Sequence, residues 1–415
     1  MADLHLAKPI TLRCGLMLPN RLVKTAIAES IAPRNMLIDE GFHRVYGPWA
    51  EGGWGMVLTG HVQVDSMYLG THTDPAVNAA FSDDQIVEAW KAWAVVCNQH
   101  GTPTIMQLNH PGRQAPIGAG TSGVFAKNIS ASAVPMDIGS GLLARAVSKI
   151  VFGIPREMTI GDIGKLIRQF ARAARLAYQS GFAGVELHAS HGYLLAQFLS
   201  AATNRRNDVY GGTPANRARI VVEIIEAVRA EVPASFCVGI ILTAVDGQSS
   251  PGEFQSFIEQ AQLIRDAGVD FIEISGGTFE TPSMFIGPEK SGNAYDWSNQ
   301  EAFFLDFVQA IRPHLTGTVP LLLSGGFRSC HAMEAAVKRG DCDMVGLARP
   351  AVVNPLLPKS VVFNPELNKN GDTQLHATRT PAPWYIKLCG IAALNVHMDN
   401  AWYVGRLQTL AKTGR

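Results

Sequence analysis

DIGKLIRQFARAARLAYQS, Asp162 to Ser180, runs directly into GFAGVELHASHGY, Gly181 to Tyr193, and this junction decides the fold. In the first part Ile163, Leu166, Ile167, Phe170 and Ala174 recur with the 3.6-residue period of an amphipathic helix, which Gly181 closes. In the second part a short apolar run from Gly184 to Leu187 reads as a buried strand. That strand ends by presenting His188, His191 and Tyr193 within six residues. Two imidazoles and a phenol at a strand end can donate hydrogen bonds to a carbonyl oxygen and supply a proton near neutral pH. Core histidines beside a packing tyrosine are the competing reading of the same spacing.

Outward from this unit the pattern repeats. Strands are expected at Leu22–Ala28, Gly55–Val64, Thr104–Asn109, Gly184–Ala189, Phe236–Ala244, Phe271–Gly276, Pro320–Gly325 and Met344–Arg349. Most are continuous apolar runs without polar alternation, as in parallel strands covered on both faces. Amphipathic segments such as Pro214–Val232, Glu253–Ala267, Asn299–Arg312 and Ser329–Arg339 lie between them. Eight such units predict an α/β fold, a (β/α)8 TIM barrel, forming one domain over residues 1–415. A doubly wound sheet is the alternative, but no GxGxxG follows the first strand. Residues 111–159, rich in Gly, Ser, Ala and Pro, interrupt the repeat and predict a lid or hairpin excursion over the C-terminal mouth. A second long loop, Thr278–Trp297, carries Phe279, Phe285, Tyr295 and Trp297, and residues 381–415 hold Trp384, Tyr385, Trp402 and Tyr403, as a docked tail would.

Composition narrows the class. The chain of 415 residues is 47% hydrophobic and 17% charged, the profile of a globular enzyme with a large core. Lys plus Arg and Asp plus Glu cancel at 35 each, which argues against nucleic acid or a membrane surface as a partner. The start, MADLHLAKPI, has no apolar leader, and no apolar run is long enough to span a bilayer. Cys14, Cys97, Cys237, Cys330, Cys342 and Cys389 form no CxxC pair or zinc-finger spacing, as expected of reduced thiols in the cytoplasm. A homo-oligomer is left open.

Barrel enzymes carry their chemistry at the C-terminal ends of strands. Strand three ends in Gln107, Asn109 and His110, strand seven in Ser324-Gly325-Gly326, and strand eight in Gly346-Leu347-Ala348-Arg349. Bare backbone N–H groups at adjacent strand ends, joined by Arg349, suit a phosphate. Ordinary turn glycines are the competing reading. A metal at His188 and His191 would want a carboxylate or third imidazole from other strand ends, where Gln107, Gly277 and Gly325 stand instead and only His61 and His110 are spare. No metal is expected.

These motifs occur in order along nearly the whole chain: Leu18-Pro19-Asn20-Arg21-Leu22-Val23-Lys24, Gln107-Leu108-Asn109-His110-Pro111-Gly112-Arg113, the His188–Gly212 block, Ile274-Ser275-Gly276-Gly277-Thr278, Ser324-Gly325-Gly326-Phe327-Arg328 and Ala401-Trp402-Tyr403. Together they resemble the Old Yellow Enzyme family of FMN-dependent NADH:flavin oxidoreductases and ene-reductases. The resemblance implies FMN as cofactor and NAD(P)H as co-substrate. It implies that Ala26, Ile27 and Ala28 line the flavin with Gly60 opposite, that Gln107 meets the pyrimidine edge, and that Gly325, Gly326, Ala348 and Arg349 hold the phosphate. By the same resemblance His188 and His191 bind the carbonyl oxygen of an enone-type small molecule, hydride reaches its β-carbon, and Tyr193 protonates the α-carbon from the opposite face.

The chain departs from that pattern at Ile241, Ala28, His61 and Ala348. The family has Lys or Arg where Ile241 stands. A unit charge about 4 Å from the flavin contributes roughly 4 kcal/mol at an effective dielectric near 20. Its loss corresponds to a two-electron potential lower by something on the order of 90 mV. Three consequences are open: FMN with altered poise, another cation reaching in, or weakened flavin chemistry. The last motivates an alternative in which His188, His191 and Tyr193 catalyse a redox-neutral isomerisation, cyclisation or elimination.

Overall fold

The computed structural model of the protein describes residues 4–123, 126–139, 141–244, 251–278, 280, 304–315, 319–367, 375 and 392–414. A hairpin of β1 (Ile10–Thr11) and β2 (Met17–Leu18) precedes the first barrel strand. The barrel strands are β3 (Leu22–Lys24), β4 (Met56–Gln63) and β5 (Thr104–Asn109), followed after the excursion pair β6 (Ile129–Ser130) and β7 (Arg156–Glu157) by five more. These are β8 (Gly184–Ala189), β9 (Cys237–Ala244), β10 (Phe271–Gly276), β11 (Leu321–Ser324) and β12 (Met344–Leu347). They close in the order β3-β4-β5-β8-β9-β10-β11-β12 and back to β3, every pair parallel. The eight-stranded TIM barrel expected from the apolar runs is the fold observed.

Helix Ile160–Gln179 shows why the local signals work. Thr159 caps it, its hydroxyl accepting from the Asp162 amide, and the Asp162 carboxylate accepts in turn from the Thr159 amide. Ile163, Leu166, Phe170 and Ala174 are buried as the period requires, and Gly181 leaves in a left-handed conformation at φ +91°.

Side chains fill the barrel interior in layers. Val23, Met56, Leu58, Ile105, Cys237, Phe271, Leu322 and Met344 close its lower half, and Leu12 and Leu18 of the β1–β2 hairpin pack into the same cluster. Gly239 makes room for Phe271, because a Cβ there would lie 2.1 Å from the ring. Gly239→Ala should therefore destabilise the fold by about 1–3 kcal/mol, read as a lower denaturant midpoint. An unchanged midpoint would refute this packing.

Above this layer β4 carries an irregularity. Its register against β5 runs Leu58 with Ile105, then His61 with Gln107, one residue out of step. The bulge reverses which residues of β4 face inward, from Met56 and Leu58 below to His61 and Gln63 above.

The excursion over residues 111–159 contains helix Leu142–Val151, and β6 and β7 pair in parallel across it, so it is a small crossover unit rather than a hairpin. The tail helix Ala392–Thr413 is docked: Tyr403 is buried, Arg44 donates to the Ala411 carbonyl at 2.6 Å, and Gln408 to that of Ser30 at 3.0 Å. Phe279, Phe285, Tyr295, Trp297, Trp384 and Tyr385 lie outside the described residues. Among the described residues no helix is long and apolar enough to cross a membrane.

Candidate active site

The end of β8 and the turn after it bring the three expected side chains together. His191 sits in the left-handed region at φ +57° and Gly192 follows at φ +74°, a tight reversal that folds Tyr193 back over His188. For a side chain larger than glycine that backbone is strained. The His191 amide donates to Thr243 Oγ1 at 3.2 Å and its carbonyl accepts from Gln114 Nε2 at 2.8 Å, which hold the turn. The Tyr193 ring meets His188 edge-on, with centroids 4.8 Å apart.

The hydrogen bonds assign the imidazole tautomers. The Ser190 amide donates to His188 Nδ1 at 3.4 Å, so His188 carries its proton on Nε2. That N–H points to His191 Nδ1 at 3.2 Å, which leaves the His191 proton on Nε2, 3.2 Å from Ser275 Oγ. The two rings are thus linked in series, the first donating to the second. Burial holds His188 well below the usual histidine range, helped by the charges of His191 and His61. Burial and His61 bring His191 down to about 4. Both are neutral N–H donors at physiological pH. Burial, with Asp74 adding to it, raises the Tyr193 phenol, so it stays protonated.

Beneath them lies a feature that motif reading did not single out. Glu186 of β8 and Glu273 of β10 point into the barrel, both buried and near enough to influence each other's ionisation. Gln107 Nε2 donates to Glu186 Oε2 at 2.8 Å and Ser324 Oγ to Glu273 Oε1 at 2.6 Å. Burial raises Glu186 well above the carboxylate range, with the charge of Glu273 next in importance, and burial brings Glu273 up to about 7. Two adjacent buried carboxyls cannot both ionise, so the pair keeps a proton near neutral pH. Ile241 stands in register between His188 and Glu273 on the intervening strand and is itself buried. Lys24 is not a replacement cation: its Nζ donates to the Leu58 carbonyl at 2.8 Å and lies 4.1 Å over the Trp49 ring, on the outer side of the barrel wall. A trace of the pair was present in the sequence, since VELHA and FIEIS each set one carboxylate inside an apolar strand.

The candidate cofactor residues fall at the mouth in two groups. Gly325 and Gly326 follow β11 with φ of +107° and +87°, and Ala348 and Arg349 follow β12, its immediate neighbour. Successive glycine amides in this conformation, with the buried residue Arg349 after the neighbouring strand, fit a phosphate. Ala348 has φ −100°, so its Cβ introduces no strain. On the other side Ala26, Ile27 and Ala28 follow β3 half-buried. The Gly60 amide donates to Glu29 Oε1 and to Tyr46 Oη, each at 2.9 Å, and a Cβ at Gly60 would overlap the Glu29 carboxylate and the Ile27 carbonyl. Glycine at 60 therefore lets two strand ends touch. Gln107 belongs to the layer below, committed to Glu186. The donor set fits FMN at its phosphate end; at position 241, where the resemblance implied a cation, an isoleucine stands instead, with the carboxyl of Glu273 in register beside it.

For a metal, the set of three candidate ligands found among the described residues is Cys14, Cys237 and Asp270, beside the lower hairpin. Asp270 is already committed there to Arg229 at 2.6 Å and the Val238 amide at 2.7 Å.

A parallel barrel that gathers two histidines and a tyrosine at its mouth fits a flavin oxidoreductase of the Old Yellow Enzyme type. Comparison with known proteins agrees: the profile of the NADH:flavin oxidoreductase / NADH oxidase family matches residues 5–368. The chain belongs to that family of FMN-dependent, NAD(P)H-using enzymes. It is 91% identical, over the full length of both chains, to an NADH-dependent flavin oxidoreductase of Talaromyces variabilis. To a protein of the same description from Hypocrea jecorina (strain QM6a) it is 54% identical, over 96% of this chain and 99% of that one. Among solved structures it resembles an old yellow enzyme homologue from Zymomonas mobilis, with a TM-score of 0.69 and 23% identity over 91% of this chain and 97% of that one. It also resembles a 2-naphthoyl-CoA reductase, with a TM-score of 0.74 and 23% identity, covering 93% of this chain but only 56% of the longer one. At such identities the structural likeness speaks for the barrel alone.

Proposed function

We propose that this enzyme reduces the C=C bond of an α,β-unsaturated carbonyl compound. The observation that carries the proposal is the convergence of two neutral imidazole donors and a protonated phenol on one side of the mouth. FMN, when bound, supplies the hydride, recharged by NAD(P)H. In this reading Ala26, Ile27, Ala28, Gly60 and Gln107 border the ring, and Gly325, Gly326, Ala348 and Arg349 take the phosphate. The substrate carbonyl oxygen accepts the N–H groups of His188 and His191 that now serve His191 Nδ1 and Ser275 Oγ. Neutral donors aimed at that oxygen lower the energy of the enolate formed when the β-carbon receives hydride, and they do so most effectively where water is excluded. Tyr193 then gives its proton to the α-carbon, from the face opposite to hydride. A cytoplasmic location is part of the proposal, supported by the free thiols of Cys14, Cys97, Cys237, Cys330 and Cys342.

His188→Ala should weaken a phenolic or enone ligand by about tenfold, the loss of one buried hydrogen bond, measured by titration of the flavin-loaded protein. Unchanged affinity would remove His188 from the carbonyl site. The reaction itself is tested anaerobically: one NAD(P)H consumed per alkene reduced supports it, and an enone panel that leaves NAD(P)H untouched opposes it.

A second reading is favoured by Ile241 above the carboxyl pair. With isoleucine rather than a cation at position 241, the same imidazoles and phenol could enolise and reprotonate a carbonyl substrate without net redox. Turnover that continues with NAD(P)H omitted would select it.

A further inference from the structure

His61 is turned into the mouth only because β4 bulges between Leu58 and His61, and the proposed reaction leaves it without a task. The ring is nearly buried, with Nε2 3.4 Å from Asp74 Oδ2, an ion-pair distance. Asp74 is itself 2% exposed and firmly held. Its Oδ2 accepts from Gln63 Nε2 at 2.8 Å, the Gly70 amide at 2.9 Å and the Thr71 amide at 3.1 Å; its Oδ1 accepts from Thr71 Oγ1 at 2.6 Å. The His61 ring also meets Tyr193 edge-on, with centroids 5.7 Å apart, and His188 with centroids 6.5 Å apart.

We propose that His61 is a proton relay for Tyr193: as the phenol gives its proton to the substrate carbon, His61 passes one to the phenol oxygen. The idea rests on Tyr193 being the donor. The Tyr193 O–H bond breaks and its electron pair stays on oxygen. An N–H bond of the His61 imidazolium breaks, its proton closes a new O–H bond, and the neutral imidazole recovers a proton from water. His61 acts through Tyr193 and is a positioning residue in this sense.

The surroundings support a charged His61. Asp74 faces it from the loop before residue 76, Glu29 from the segment after β3, Gln63 from its own strand, and His188, His191 and Tyr193 from β8 and its turn. Burial opposes the charge, but the carboxylate of Asp74 at ion-pair distance, and then that of Glu29, outweigh it, so His61 is raised above the ordinary histidine value. His188 and His191 are neutral and do not compete. A phenol raised by burial leaves a strongly basic oxygen when it loses its proton, and a neighbouring imidazolium lowers that cost.

The test is the single-turnover rate of the oxidative half-reaction against pH in the FMN-loaded enzyme. In the wild type the rate should fall by about tenfold or more as pH rises through the His61 titration, down to a plateau. In His61→Asn the rate should sit at that plateau at every pH, with flavin reduction by NAD(P)H unchanged. A second readout does not use turnover: nitrogen NMR of labelled histidine should place the His61 midpoint above that of a free histidine, and Asp74→Asn should lower it. If Asp74→Asn does not fold, His61→Asn decides alone through the pH profile. A wild-type profile retained in His61→Asn, or a His61 midpoint below the free value, overturns the relay. If Tyr193→Phe reacts as fast as wild type, the donor assignment falls instead.

Discussion

Tyr193→Phe slows the oxidative half-reaction by about 10²–10⁴-fold, the range a positioned general acid contributes, and leaves flavin reduction by NAD(P)H near its wild-type rate. The asymmetry follows from what the hydroxyl touches. It is raised by burial and by Asp74, so it is protonated across the working pH range and has a proton to give. It supports no fold element: Tyr193 caps helix Leu194–Leu199 through its backbone, and its side chain makes no capping bond. Phenylalanine keeps the ring contact with His188 and removes only the hydroxyl. Stopped-flow measurement of the two half-reactions separates the effects. Equal slowing of both would mean that Tyr193 shapes the pocket rather than donating.

Ile241→Lys raises the two-electron potential of bound FMN and lowers the titration of the Glu186–Glu273 pair. An uncompensated cation about 4 Å from the flavin would shift the potential by something on the order of 90 mV. Here that value is a ceiling. The new ammonium would stand in register beside Glu273, which titrates at about 7, and would favour its ionisation. The carboxylate so formed screens the lysine from the ring. The shift should therefore be positive but smaller than the ceiling at pH 8, and larger at pH 6, where the carboxyls keep more of their protons. Spectroelectrochemistry at the two pH values reads this directly. A potential that does not move would show that residue 241 does not face the ring.

The barrel was legible because its strands are uninterrupted apolar runs, and such runs survive errors of a residue or two at their ends. The first and last strands are shorter than their apolar runs. β3 ends at Lys24 rather than Ala28, and β12 at Leu347 rather than Arg349, where the chain leaves the ladder to line the mouth. The His188–His191–Tyr193 cluster was legible because it lies within one turn of a single strand end. What escaped depends on register or on distant pairing. The bulge that aims His61 leaves the apolar run Gly55–Val64 unaltered, so His61 looked like an isolated departure. Asp74 and Glu273 meet their partners only through the closed barrel. The helix Leu142–Val151 was submerged in a segment dominated by small residues and prolines.

The central claim is that the imidazole pair and the phenol work on one face of a substrate whose other face receives hydride. Reduction of a prochiral enone with deuterated NAD(P)H in ordinary water, and with ordinary NAD(P)H in heavy water, tests it through the stereochemistry of the product. The account predicts that the cofactor label lands on the β-carbon and the solvent label on the α-carbon, on opposite faces. Both labels on one face, or solvent label at the β-carbon, would contradict it.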